Sequence, residues 1–233
     1  MYTSTQRTLT RARTLGLLDA IDSSSEKCTT GYCVTGATSD DIEDRIRKQV
    51  QESDVVAEIL RSVTASKTGA VLFWGTQHKC LLIPPFPIKV SMHHPDIHIA
   101  PIQTMLRQDP LISLVLIRLG EYAVATFRGE TLLDHKHGTG LVHSRHKKGG
   151  SSQRRFERHR EKQIEMFFTR VCQHVREKLE PLMREMDYLF YGGERNTIAG
   201  FRKQCTFLQR FEPYVVVRVL HVRSPERSAL TAT

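Results

Sequence analysis

The amino-acid sequence predicts an α/β protein in which helices cover a mixed β-sheet. Between residues 112 and 136, three short segments rich in β-branched residues are separated at Gly120 and Gly129, which is typical of consecutive strands. The rest of the chain contains a helical pattern, a strand pattern, a second helical pattern and a final strand pattern. Strands that alternate with helices in this way indicate a sheet packed against helices.

The first part of the chain has less regular patterns. Residues 1–38 are rich in Ser, Thr and Gly and are interpreted as a mobile segment with one short strand. Residues 39–66 begin with acidic side chains and continue with apolar residues at near-helical spacing, which predicts an N-terminal helix. A β-rich block opens at Gly69, so we assign the main domain to residues 67–233.

A long helix is predicted from about Gln153 towards Met186. Its apolar stripe consists of Ile164, Phe168, Val171, Val175, Leu179 and Leu182. Before Ile164 only Phe156 remains, so the far half of this helix should be buried and its near half should project from the domain. The prediction is completed by a strand at 187–193, a helix at about 196–210 and a strand at 213–222.

The number of cysteines and the lengths of the apolar runs indicate the cellular compartment of the protein. The five cysteines are scattered and odd in number, which favours reduced thiols over a disulfide framework. The N-terminal residues contain no apolar stretch of the secretory type, and the longest apolar run, at 111–117, is too short to cross a bilayer. We therefore expect a cytoplasmic protein without a membrane partner.

Positive charge is concentrated in one segment. The chain has a formal net charge of +9 and a pI near 9.5. Residues 143–162 contain eight Lys or Arg against two Glu, so this segment alone supplies +6. Charge that is spread over a surface favours solubility, whereas charge concentrated in this way is typical of a surface that binds a polyanion. The distribution therefore predicts a nucleic-acid partner.

Small neutral residues interrupt this basic segment in HKKGGSSQRRF, residues 146–156. Gly149 and Gly150 permit backbone conformations and close approach that a side chain would block. Ser151, Ser152 and Gln153 supply neutral hydrogen-bonding groups. At neutral pH an amide is neither an acid, a base nor a nucleophile, so chemistry on Gln153 must consist of positioning water and stabilising charge. Such chemistry suits a substrate that is already an activated ester.

The segment resembles the catalytic loop of the class I release factors of eukaryotes and archaea, and it resembles the Vms-like release factor (VLRF) family more closely. The resemblance spans roughly residues 66–220 and includes RLGEYAVATFRGE, the YLFYGGERNTIAGF segment and the basic helix after the loop. It implies an RNase H-like fold, similar to the release-factor middle domain, with a long projecting helix. Residues 67–233 would then be the catalytic domain.

The same resemblance implies a ribosome-rescue peptidyl-tRNA hydrolase. Such a protein would act as a monomer at the peptidyl transferase centre of the large subunit, without a codon-reading domain, a cofactor or a metal. The tip would consist of Gly149, Gly150, Ser152 and Gln153, with Ser151 as an inserted residue. The cations expected to face RNA are Arg145, His146, Lys147, Lys148, Arg154, Arg155, Arg158 and Arg160.

Several alternatives stay open at this point. Gln153 lies two residues further from the glycines than in a Gly-Gly-Gln tip, so either its side chain or the neighbouring backbone could face the ester. The loop and helix could also bind ribosomal or transfer RNA without catalysis, and relatives have been linked to cleavage of the tRNA 3′ end. A metal-dependent nuclease is less favoured, because the strand region offers as acids only Glu121, Glu130 and Asp134, which lie near strand ends.

Overall fold

The computed structural model describes residues 5–35, 43, 44, 46, 47, 50, 53–143, 151–221 and 225, with residues 53, 54 and 151–153 described for their backbone only. The chain divides into two compact units, Met1–Gln108 and Asp109–Thr233. Each unit contains a four-stranded sheet together with helices, which confirms the predicted mixed α/β class.

The first unit is built on an antiparallel sheet. Its elements are α1 (Arg11–Asp22), β1 (Cys28–Cys33), α2 (Ser53–Ala65), β2 (Ala70–Gly75), β3 (Lys79–Leu82), β4 (Met92–His94) and α3 (Ala100–Arg107). The strand order is β3-β2-β1-β4. Strand β1 pairs with β2 along its whole length and with β4 on its other side, so it lies in the interior of the sheet.

The structure divides the chain differently from the boundaries predicted at residues 38 and 66. Tyr32 of β1 is 1% exposed and its hydroxyl donates to the carbonyl of His98 at 2.7 Å. Leu18 and Ile21 of α1 belong to the same core cluster. Helix α1 and strand β1 therefore contribute buried residues to the first unit's core, and β1 pairs with both β2 and β4. Of the predicted helix 39–66, the structure describes α2 and scattered residues before it.

The second unit contains the predicted three-stranded meander. Its elements are β5 (Leu111–Arg118), β6 (Glu121–Arg128), β7 (Thr131–Thr139), α4 (Ser151–Leu179), a 3₁₀ turn (Glu180–Leu182), β8 (Tyr188–Gly193), α5 (Arg195–Gln204) and a 3₁₀ helix (Thr206–Tyr214). The order is β7-β6-β5-β8, antiparallel except for the parallel pair β5–β8. The two predicted breaks are tight turns in which Gly120 and Gly129 have φ of +95° and +56°, values that favour glycine.

Helix α4 follows its predicted apolar stripe. Phe168, Val171, Val175 and Leu179 are buried, and Ile164 and Leu182 pack against the same cluster. The helix ends at Leu179 instead of near Met186, because Pro181 has no N–H to donate and disfavours helical geometry in the residue before it. No helix in the described part of the chain is long and apolar enough to span a membrane.

The predicted last strand, 213–222, is wrong as far as the described residues extend. The 3₁₀ helix after α5 continues to Tyr214, and residues 215–221 contribute two isolated parallel bridges, Leu189 to Val215 and Gly192 to Leu220. Pro213 lacks the donor that a ladder requires. Val216 is 3% exposed and Val217 is 69% exposed, so only part of the apolar run is buried.

The expectation of reduced thiols is wrong for one pair. Cys172 in α4 and Cys205 at the end of α5 form a disulfide with Cα atoms 5.5 Å apart. They are 33 residues apart in sequence, and only the packing of α4 against α5 brings them together. Cys28, Cys33 and Cys80 are not disulfide-bonded, and the first two are buried residues of β1.

One carboxylate holds the turn between β2 and β3. Glu26 accepts hydrogen bonds from the backbone N–H of Gln77 at 2.5 Å, from that of His78 at 3.0 Å and from the Thr76 hydroxyl at 2.9 Å. Its side chain is 4% exposed. These donors, the Gln77 amide foremost, lower the pKa of Glu26 to about 2, because they favour the ionised form.

We expect Glu26→Gln to destabilise the first unit at neutral pH, because an amide accepts these bonds more weakly than a carboxylate. The lowered pKa means that the carboxylate stabilises the fold fully above its ordinary pKa of 4.5, and that this contribution is lost as the pH falls towards about 2. Urea unfolding followed by the fluorescence of Trp74 should therefore show wild type and variant converging in acid. Glu43→Gln, in an i,i+4 pair with Arg47, is the control. An equal effect of both substitutions at pH 7 would contradict the expectation.

Candidate functional site

The far half of α4 is fixed by aromatic packing in the second unit's core. Phe167 and Phe168 are 3% and 5% exposed. The Phe168 ring meets Phe201 of α5 edge-on at a centroid distance of 5.6 Å, and Phe167 meets Tyr122 of β6 at 6.3 Å. Burial raises the pKa of Tyr122. Because an α-helix is a continuous hydrogen-bonded rod, this packing also sets the direction of the near half.

Ion pairs join β7 to the last turns of α4. Lys178 Nζ lies 2.6 Å from a carboxylate oxygen of Asp134, and Lys136 Nζ lies 3.5 Å from Glu177. A hydrogen bond with His174 is the main cause of the lowered pKa of Glu177. These groups are partly exposed, so each pair contributes little to stability, but together they keep the strand alongside the helix.

The chain then leaves β7 along the surface of α4, in what we call the exit segment, residues 139–143. Arg170 donates from Nη2 to the carbonyl of Thr139. A Cβ at Gly140 would lie 2.5 Å from Cδ2 of Phe167 and 2.6 Å from Nη2 of Arg170, so only glycine permits this close passage. Val142 packs against the core cluster.

His143, the last residue of the exit segment, is held through both of its backbone groups. Its carbonyl accepts from Nε of Arg160 at 2.9 Å, and its N–H donates to Oε1 of Gln163 at 3.2 Å. Its ring stacks near that of His159, with centroids 6.4 Å apart. The exit segment is therefore attached to α4 at both ends.

Beyond this attachment the near half of α4 is open to solvent. Residues 154–159 are all exposed, including Arg154, Arg155 and Arg158. The Phe156 side chain is 60% exposed, which is unusual for an aromatic residue on a helix with an apolar stripe. This confirms the prediction that the basic near half projects beyond the core. Such a surface can attract phosphates and can stack an aromatic ring on a base.

The predicted tip is described only in part. Ser151, Ser152 and Gln153 form the first turn of α4, and their backbone alone is described. Gly149, Gly150 and the predicted cations Arg145, His146, Lys147 and Lys148 lie outside the described residues. Arg160 stands apart from Arg154, Arg155 and Arg158, because it is half-buried and donates to the protein's own backbone.

Sequence reasoning missed three residues of this region. Gly140, Gln163 and Arg170 position the exit segment, yet none of them has a sequence signal that reveals this. A glycine after a strand is ordinarily a turn residue, and Gln and Arg are ordinary choices on a helix surface. Their contacts join positions 20 and 31 residues apart, so only the tertiary structure reveals them.

The carboxylates considered for a metal-dependent nuclease do not converge in the described part of the chain. Glu121 begins β6, whereas Glu130 lies in the turn after the other end of that strand. Asp134 is paired with Lys178. Within the described ranges, no group of three or more His, Cys, Asp or Glu is arranged to hold a metal ion.

Comparison with known proteins connects this geometry with translation. The family model described as Actinobacteria/chloroflexi VLRF1 release factor matches residues 110–233, which is more than half of the 233 residues. Peptide chain release factor subunit 1 of Methanosphaera stadtmanae is 32% identical over 120 residues, covering 51% of this chain and 29% of its own length. The same factor of Picrophilus torridus is 28% identical over 138 residues, covering 54% and 34%.

Among solved structures, that of the archaeal translation termination factor aRF1 aligns with a TM-score of 0.43 at 18% identity, over 94% of this chain and 67% of that one. The match to the two sequence relatives covers about a third of their own length.

We expect Gly140→Ala to destabilise the second unit by about 1–3 kcal/mol, the usual range for forcing an extra methyl group into a packed site. The added Cβ must displace Phe167 or Arg170. Denaturant unfolding monitored by circular dichroism measures the change in the free energy of unfolding. Thr139→Ala is the matched control, since Thr139 is exposed and bonds Arg170 through its backbone carbonyl. A Gly140→Ala protein as stable as this control would refute the close passage.

Proposed function

The chain belongs to the Actinobacteria/chloroflexi VLRF1 release factor family, and on this premise we propose that it is a ribosome-associated peptidyl-tRNA hydrolase. It acts in the rescue or quality control of stalled translation in the cytoplasm. The observation that carries the proposal is the family match over the second unit, which contains the Gly-Gly-Ser-Ser-Gln segment and the exposed basic half of α4.

In the proposed reaction, the tip reaches the peptidyl transferase centre of the large subunit and faces the ester of peptidyl-tRNA. The oxygen of a water molecule adds to the ester carbonyl, and the bond from the carbonyl carbon to the ribose oxygen then breaks. One proton of the water goes to the leaving ribose oxygen and the other is released to solvent. The products are a peptide with a free carboxylate and a tRNA with an intact terminal hydroxyl. No cofactor is required, because the aminoacyl ester is already activated.

Gln153 and its backbone neighbours supply the polar groups for this step. The Gln153 amide can both donate to and accept from the attacking water, but it cannot remove its proton at neutral pH. Ser151–Gln153 lie in the first turn of α4, where backbone N–H groups have no partner within the helix. These amides also lie at the positive end of the helix dipole, so they suit a developing oxyanion. This placement supports a contribution of the backbone as well as of the side chain.

The basic residues supply affinity and orientation. Arg154, Arg155 and Arg158 are exposed and suited to grip phosphates of ribosomal or transfer RNA, and Lys147, Lys148, Arg145 and His146 are proposed to do the same on the other side of the tip. Contacts of this kind fix register without reading sequence. They fit a monomeric factor that recognises a stalled ribosome by its empty site and not by a codon.

A second candidate is a module that binds ribosomal RNA or tRNA without catalysis. The same exposed arginines favour this module, because arginines can bind RNA phosphates without any catalytic chemistry at the tip. A third candidate, a nuclease acting on the tRNA 3′ end, differs in the bond that breaks, since it would leave a shortened tRNA. The three candidates therefore predict different products from one substrate.

We expect Gln153→Ala to lower the rate of peptide release from purified ribosome–peptidyl-tRNA complexes by about 10²–10³, the usual effect of losing one group that stabilises the transition state. Binding to ribosomes should remain. Gln173→Ala is the matched control on the same helix, since Gln173 is bonded to Glu177 away from the tip. Ribosome binding with no release by the wild type would establish the binding module, and tRNA shortened by one or more nucleotides would establish the nuclease.

We expect the combined substitution of Arg154, Arg155 and Arg158 by Ala to weaken binding to large ribosomal subunits. The logarithm of the binding constant falls linearly with the logarithm of the salt concentration. The variant should make this slope less steep by roughly 0.7–0.9 for each phosphate that it no longer neutralises. Filter binding at a series of salt concentrations measures both. The combined Ala variant of Arg176, Arg184 and Arg210 removes the same charge elsewhere on the unit and should change the slope less. Equal slopes for the two variants would contradict a localised RNA-binding surface.

A further inference from the structure

The attachment of the exit segment to α4 is a feature that the proposed chemistry does not yet use. Arg160, Gln163 and Arg170, which we call the clip, contact the backbone of residues 139–143. They lie three and seven residues apart, a spacing that places them on one face of a helix. All three bonds engage main-chain atoms, so they require no hydrogen-bonding side chain in the exit segment.

The order of the contacts gives the direction of the exit segment. Thr139 is bound by Arg170, whereas His143 is bound by Gln163 and Arg160. As residue numbers rise in the exit segment they fall along α4, so the segment runs antiparallel to the helix and towards its N-terminus. Ten helical residues rise about 15 Å. Four extended residues span roughly 13–14 Å. The exit segment is therefore held nearly straight along the helix.

The clip holds His143 beside the same helix that begins at Ser151, and the tip lies between these two points in the sequence. His143 is bound at the level of Arg160 and Gln163, so one end of the intervening seven-residue stretch is anchored beside the third turn of α4 and the other end is the first turn itself. His143 and the first turn of α4 are thus both fixed to one rigid element, the helix itself.

Resting on the proposed function, we propose that Arg160 and Gln163 are positioning residues for peptidyl-tRNA hydrolysis. They hold the chain at His143 against the helix whose first turn carries Gln153, so that Gln153 meets the ester in a defined orientation. Arg160 acts through its Nε–H bond to a backbone carbonyl and not through charge on RNA, which separates it from Arg154, Arg155 and Arg158. Misplacement of a reacting group by about 1 Å can lower a rate 10²-fold, so a small release of the clip has a large kinetic consequence.

The first test does not depend on catalysis. Amide hydrogen exchange of His143 measures the bond from its N–H to Gln163 directly. Gln163→Ala should speed this exchange by roughly 2- to 10-fold, the range for one lost hydrogen bond. Gln163→Glu retains an acceptor and should restore protection, and Gln173→Ala, at an exposed position in the far half, should leave it at the wild-type level. Unchanged exchange in Gln163→Ala would overturn the clip.

The second test separates position from charge. Arg160→Lys retains the positive charge but removes the Nε–H donor at its present place. The clip predicts that kcat for peptide release falls about 10-fold or more while KM stays within roughly twofold, as for a loss of orientation. Arg176→Lys, in a partly exposed pair with Glu180, is the control with the same chemical change. Wild-type kcat in Arg160→Lys would overturn the positioning role and return Arg160 to the RNA-facing cations.

The two tests distinguish the failure of this inference from the failure of the proposed function. A wild-type protein that releases no peptide, with His143 exchange responding to Gln163→Ala, overturns the hydrolase and supports the clip as a structural attachment. A wild-type protein that releases peptide, with neither exchange nor kcat responding to the substitutions, overturns the clip and supports the hydrolase.

Discussion

The second unit depends on the burial of only half of one helix. Phe167, Phe168 and the valines that follow are packed against β5, β6, β8 and α5, and this apolar stripe ends at Ile164. The helix nevertheless continues unbroken to Ser151. Backbone hydrogen bonds make the helix one rigid rod. The packing of its far half in the core therefore sets the direction of its basic near half, which is not itself buried. The exposed near half is therefore presented rigidly, although few of its own side chains pack against anything apolar.

Apolar runs with clear breaks and one regular apolar stripe could be predicted well from the sequence. The meander of the second unit and strand β8 combine apolar runs with glycine breaks, and α4 has apolar residues at helical spacing. Strand β1 was predicted only as one short strand, at 32–35, in a mobile segment, because CTTGYC has little apolar alternation and its burial follows from two partner strands far along the chain. The last predicted strand failed for the opposite reason. Its apolar run is strong, but the 3₁₀ helix that contains Pro213 continues to Tyr214, and the residues after it form two isolated bridges instead of a ladder.

Some features of the candidate site follow from the local sequence, and others follow only from the tertiary structure. Charge concentration is a local property, so the basic near half of α4 was visible in the sequence. The difference between Arg158 and Arg160 was not, because both are arginines in the same run. Only the fold brings the carbonyl of His143 to Arg160, across 17 residues, and turns a cation that looks RNA-facing into an internal contact. The disulfide between Cys172 and Cys205 was hidden for the same reason.

The two edges of the second sheet are protected by different means. Residues 215–220 bridge β8 on its outer side, whereas the outer side of β7 has no partner strand among the described residues. An open edge invites pairing with another chain, and charged side chains discourage it. The run Asp134, His135, Lys136 and His137 places charged and polar side chains on this strand, and Asp134 and Lys136 are ion-paired with α4. The pairs that hold β7 to the helix therefore also keep charge beside the open edge, where it disfavours pairing with a further strand.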